Sequence, residues 1–219
     1  MVTSSHEATH RLFHEDPAVF ARAFERLGFP FPHPVQTSLL LPDLTGMRPE
    51  PERRPGSVLQ CESADGDRYL LVIASPDGKS PDQQGGWAHY LAFLGAKYLM
   101  PALLVAVCPD EDTARWAEAP FHLGLPDWHA MTVRPLALGP HNVPVITDPA
   151  AAAADLPLAV FGAIAHSRSP RISVLLRALA SALRTVDETT AAVFTDITAA
   201  GLGNSPAARI WQDIMAVDL

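Results

Sequence analysis

Apolar residues follow helical spacing near the start of the chain, fall into two unbroken runs in the middle, and return to helical spacing over the last third. The first helix is expected over residues 6–14, with Ser4 or Ser5 as its cap and Glu7 near the positive end of its dipole. Val19, Phe20, Ala23, Phe24 and Leu27 then line one face of a second helix, with Pro17 in its first turn and Gly28 closing it. Prolines at 30, 32, 34, 42, 49, 51 and 55 interrupt any pattern, and leave residues 39–41 as a short strand.

The middle of the chain carries the strand signals. Residues 57–63 and 67–74 flank the turn Ala64-Asp65-Gly66-Asp67, which predicts a β-hairpin whose second arm, Tyr69 to Ile73, is apolar throughout. Residues 76–86 read as a polar loop and residues 87–98 as a helix with Ala88, Leu91 and Leu94 on one face, stopped by Pro101. Residues 103–108, LLVAVC, form a continuous apolar run, the mark of a strand covered on both faces. A short helix over 112–118, capped by Asp110 or Asp112, and a strand over 131–138 follow, with Pro135 forcing an edge position or a bulge.

After the turn at 139–142 and the segment Val143-Pro-Val-Ile-Thr-Asp148, helices are expected from Pro149 or Asp155 to His166, over 170–184, over 187–200 and over 205–217. Ser169-Pro170 and Ser205-Pro206 each place a capping residue before a proline in the first turn. Leu175, Leu176, Leu179, Ala182 and Leu183 make an apolar stripe that suits core packing or a dimer face.

Composition narrows the function classes. With 24 acidic against 16 basic residues the formal charge is -8, so a broad grip on phosphate backbone is not favoured and nucleic-acid contact would have to be local. Cys61 and Cys108 lie in strand-like runs with no CxxC pair, which predicts two buried thiols in a reducing compartment rather than a disulfide or zinc site. The N-terminus lacks the basic and apolar regions of a secretory signal, and no apolar run is long enough to span a bilayer. A cytoplasmic protein without a membrane partner is the expectation.

The order helix, hairpin, helix, strand, helix, strand predicts an α/β (α+β) fold, with a core at 1–148 and a helical C-terminal subdomain at 149–219 packed on it. That order is the layout of the restriction-endonuclease-like core, a mixed sheet flanked by helices. The segments HEATHRLFHEDPAVFARAFERLG at 6–28, YLLVIAS, WAHYLAFLGAKY and LGPHNVPVITDP resemble a group of actinobacterial proteins. That group is similar in turn to the PD-(D/E)XK nuclease superfamily, in particular its transposase-like, recombination-promoting branch.

The resemblance implies a magnesium site between an acid at the hairpin start and the acid of a D/E-x-K or E-x-Q triplet on the next strand, where the metal generates hydroxide. Carried onto this chain, those positions fall near Gly56, at Ala74 and at Pro76, none of which supplies a ligand or a donor. A degenerate nuclease that acts by binding, with no cofactor, is the resulting expectation. Glu62 with Asp77-Gly78-Lys79 offers an alternative: Glu62 and Asp77 as magnesium ligands and Lys79 as the water-orienting base of a relocated site. Pro76 and Asp77-Gly78 signal a turn, however, which would hold those groups on a loop. A third possibility is an interaction module that binds a protein partner or dimerises through residues 170–217.

Other groups add less. His6, His10 and His14 share a helix face at a spacing that could take a transition metal, but no HExxH arrangement accompanies them. His89 lies on the helix after the hairpin, where core or surface packing accounts for it. Ser57, Ser63 and Ser75 lie in no GxSxG elbow, and Gly85-Gly86 and Gly201-Leu-Gly203 are turns rather than phosphate cradles.

Overall fold

A computed structural model of the chain describes residues 8, 11–13, 15, 16, 18–27, 34–40, 56–76, 78–125 and 127–217. The expected caps Ser4 and Ser5, the dipole partner Glu7, the first-turn Pro17, the closing Gly28, and Leu41 lie outside these residues. Contacts divide the chain into two compact units, 33–141 and a second made of 1–32 with 142–219. The boundary expected at 148 therefore shifts, because the N-terminal helical residues pack with the C-terminal helices. Phe13 stacks on Phe20 with ring centres 3.8 Å apart and meets Phe161 edge-on at 5.7 Å.

Unit 33–141 is built on a five-stranded mixed sheet. β1 (Pro34–Leu40), β2 (Ser57–Ser63) and β3 (Arg68–Ala74) run antiparallel in sequence order. β1 is longer than the expected strand at 39–41, and Pro34 opens this edge strand, where a missing N–H costs no ladder bond. The turn between β2 and β3 closes through Gly66, whose φ of 84° suits glycine, and through the Ser63 hydroxyl accepting from the Asp67 N–H at 3.1 Å.

Helix α1 (Val19–Arg26) precedes the sheet in sequence, and α2 (Pro81–Tyr98) links β3 to β4 (Ala102–Val107). α2 starts six residues earlier than expected. Ser80-Pro81 puts a proline in the first helical turn, and burial of Trp87, Ala88, Tyr90 and Leu94 offsets the roughly 1 kcal/mol that each of Gly85 and Gly86 costs a helix. α3 (Glu111–Glu118), capped by Asp110 on the Thr113 N–H at 2.8 Å, leads towards β7 (Leu136–Leu138). β3, β4 and β7 are parallel, so their carboxyl ends share one edge.

One face of this sheet, with Val58, Leu70, Val72, Ala74, Leu104, Ala106 and Cys108, forms a core with Trp87, Tyr90 and Leu94 of α2 and Ala114 and Ala117 of α3. Leu59, Leu71, Ile73 and Val105 on the alternate face are buried as well. Burial on both faces explains why β3 and β4 read as unbroken apolar runs.

The strand expected over 131–138 is two strands in two sheets, because Pro135 ends the first. β5 (Phe121–Leu125) and β6 (Trp128–Val133) form a separate two-stranded hairpin. Its register shifts at Gly124, whose φ is 130° and where a Cβ would lie 2.5 Å from the Trp128 carbonyl oxygen. Only glycine fits that bulge.

In the helical unit, the helix expected from Pro149 or Asp155 to His166 is two helices, α4 (Pro149–Ala154) and α5 (Leu156–Ala165). Asp148 caps the first through the Ala151 N–H at 2.8 Å, and Asp155 ends it while capping the second through Leu158 at 3.2 Å. α6 (Ile172–Leu183), α7 (Glu188–Leu202) and α8 (Pro206–Val217) follow, α6 beginning two residues after Pro170 with no side-chain cap, α7 capped by Asp187, and α8 starting at Pro206 although the Ser205 hydroxyl makes no capping bond among the described residues. The stripe Leu175, Leu176, Leu179, Ala182 and Leu183 is buried, so it is core rather than a free face. Arg22 of α1 donates to both carboxylate oxygens of Asp155, at 2.6 and 2.9 Å, and also pairs with Asp16. Burial pulls against its charge, but the bonds and charges of these two carboxylates hold the guanidinium above its ordinary pKa.

Candidate functional site

The positions to which the resemblance points lie at one end of the β2–β3 hairpin. Ser57 pairs with Ile73, and the Gly56 N–H donates to the Ile73 carbonyl at 2.9 Å, so Gly56 and Ala74 flank the open end of the β2–β3 hairpin. Their side chains offer no ligand set there. Ala74 is 4% exposed and its methyl lies in the core beside Val72, Ala106 and Cys108. Pro76 is buried and has no donor, and Gly56 is exposed.

The relocated set is spread out. Glu62 pairs across the hairpin with Arg68, beside the turn, whereas Lys79 follows the carboxyl end of β3. Five residues of strand separate Glu62 from Ser57, about 17 Å at the usual rise, so Glu62 and Lys79 serve opposite ends of the sheet. The expectation that they share one site is corrected accordingly: the hairpin that would present the acid carries it on the wrong end. Lys79 Nζ instead bonds the Asp112 carboxylate at 3.0 Å on the surface. Asp77 lies outside the described residues, as do His6, His10 and His14. Among the described residues there is no group of three His, Cys, Asp or Glu side chains able to hold a metal ion.

Glu62 sits in a shallow hollow of about 130 Å³, with Gln36, Ser38, Gln60, Cys61 and Arg68 around it. This is where the core face of the sheet turns polar, beyond the pair Leu40–Val58. One carboxylate, one guanidinium, two amides and a hydroxyl can exchange hydrogen bonds with a small polar group. They supply no second acid to share a hard cation.

The cysteines behave as buried hydrophobes, both free. Burial pushes the Cys108 thiol up to about 12, with the Asp110 charge adding to the effect, so it is no nucleophile near neutral pH. Burial likewise raises Cys61 to about 11 against the easing bonds of Tyr69 and Thr37. His89 is exposed and stacks on Phe93, which in turn lies under Lys97 at 5.4 Å, a surface ladder rather than a cleft group.

Sequence reasoning missed the polar atoms at the carboxyl edge of the parallel strands. Ser75 Oγ after β3, Gln83 Oε1 in the first turn of α2 and both ring nitrogens of His141 after β7 are buried with no hydrogen-bond partner among the described residues. The Glu118 carboxylate approaches His141 Nε2 only to 3.4 Å. No local signal marks these residues, because their common edge exists only once the strands are parallel.

No family model, curated protein or solved structure matches the chain. Among the described residues no helix is long and apolar enough to cross a membrane.

Proposed function

We propose that this chain is a nuclease-frame protein, of PD-(D/E)XK descent, that has lost catalysis and acts by binding another protein. The single observation carrying this reading is the Ala74 methyl, buried at the end of β3 where the resemblance places an acid. The sheet order supports it, since a hairpin, a helix, a parallel strand, a helix and a further parallel strand are the expected frame. Lost catalysis also agrees with the separation of Glu62 from Lys79, which puts the relocated acid far from the hairpin's open end. The charge of -8 favours a protein partner over a phosphate backbone.

Calorimetric titration with magnesium and manganese, run beside a cleavage assay on plasmid and single-stranded DNA, tests the reading. The expected result is heat of dilution alone and intact DNA. Saturable metal binding together with cutting that is lost in Asp77→Ala would overturn it.

A further inference from the structure

The β5–β6 hairpin has an apolar face that begins in the core and runs outward past it. Phe121 and Val133, paired at its base, are 8% and 7% exposed and belong to the core of unit 33–141. The next pair is Leu123 with Met131, the latter 42% exposed, and the last is Leu125 with Trp128, 70% and 76% exposed. Cross-strand partners share a face, so these six side chains form one strip. His122 and His129 stack on the opposite face with ring centres 3.8 Å apart, and His122 Nδ1 lies 2.9 Å from the Thr132 hydroxyl.

The strip is out of place on a monomer. Two-stranded hairpins are marginal alone and need a covered face, and five of the six residues of β6 are exposed. The exposures leave on the order of 400 Å² of contiguous apolar surface, the size at which such patches tend to be functional.

We propose that this face packs against the same face of a second copy of the chain. Charge argues for that occupant. Residues 121–133 carry no lysine or arginine and a single acid, Asp127. A phosphate-bearing partner finds no cation there, whereas two copies, each at -8, can approach most closely where each presents a single acid and no further charge. A two-fold axis makes the strip its own complement, with Trp128 of one copy free to lie over the Leu123 and Met131 pair of the other. Area sets the strength. Two strips bury about 800 Å² of apolar surface, below the roughly 1,200 Å² of a stable interface, so the dimer is weak and depends on concentration. The inference is independent of the nuclease-frame reading, and it moves self-association away from residues 170–217, whose stripe is core.

Sedimentation of the full chain between about 1 and 300 µM is the test, a range that brackets a weak interface. The expected result is a dimer that grows with concentration and with added salt, which screens the repulsion between like-charged copies. The variant Leu125→Ser/Trp128→Ser should stay monomeric throughout with an unchanged circular dichroism spectrum. A wild type that is monomeric over the whole range, or a variant that associates as tightly as wild type, overturns the proposal. Should the double variant misfold, emission of Trp128, isolated by difference from Trp128→Phe, serves instead. It should move to the blue as wild type is concentrated, and unchanged emission overturns the proposal. So does a monomer whose Trp128 emission responds only to single-stranded DNA, which would assign the face to base stacking.

Discussion

Among the described residues, the hairpins β2–β3 and β5–β6 are of similar length and have opposite fates. β2–β3 lies inside a five-stranded sheet and buries both faces of its second arm, whereas β5–β6 pairs with no further strand among the described residues and buries only its base. Each contains a glycine at positive φ, Gly66 at 84° and Gly124 at 130°, and apolar residues along its arms. The difference arises in the segment on the carboxyl side of each hairpin. After β3 the helix α2 returns the chain to lay β4 parallel beside it, while after β6 Pro135 breaks the strand and sends the chain to the far side of β4 as β7. The apolar second arm of β2–β3 suits double cover, and the neighbouring strand and helix supply it.

The contrast can be broken most severely at the end of β3. Ala74→Asp should cost roughly 3–5 kcal/mol by urea unfolding, since it places an unpaired carboxylate in the core beside Val72, Ala106 and Cys108. A milder loss would mean that this position is wetter than its burial indicates.

Alkaline pH tests the same hairpin. The Cys61 thiol rises in the folded state from 9.0 to about 11, chiefly through burial, so its contribution is fully present below about pH 9 and is lost as pH climbs towards 11. Tyr69, raised by burial and by its Cys61 neighbour, steepens the fall. The urea midpoint should therefore be level to about pH 8.5 and then decline. Cys61→Ala should flatten that decline, whatever it costs at neutral pH.

In the outer hairpin Gly124→Ala should cost about 1–3 kcal/mol, because the new Cβ meets the Trp128 carbonyl at 2.5 Å and the backbone must leave its positive φ. Hydrogen exchange should show the loss confined to residues 121–133. The smallest effect belongs to Trp128→Ser, expected within about 0.5 kcal/mol of wild type in dilute solution, where its 76% exposed ring has little to lose. Only concentrated samples should tell the two proteins apart.

The helical unit was the most legible part of the chain, since its starts are written in adjacent residues. Asp187 accepts from the Thr190 N–H at 3.0 Å and caps α7 at the start its position suggests, and Asp155, expected only as a possible first residue, caps α5. The sequence left open whether Pro149 or Asp155 began that helix, and both do. The buried runs 69–73 and 103–108 were equally plain, because burial on two faces selects an unbroken apolar run, and the turn at 64–67 marked 57–63 as the partner arm. The candidate site was half legible. That Ala74 and Gly56 bear no ligand is visible in their identities, but that Glu62 lies at the other end of the hairpin from Lys79 needed the antiparallel register.

Residue identity and near-neighbour spacing thus settled which segments are helices, which are doubly covered strands, and that the position implied for an acid holds a methyl group. Their causes are local: a cap needs a residue three positions away, and a period needs only its own turn. Spatial assembly settled the rest: that residues 1–32 join the C-terminal helices, that Pro135 divides two sheets, and that Leu125 and Trp128 stand in solvent. Those outcomes depend on contacts between residues tens of positions apart, whose pairing no short stretch of sequence encodes.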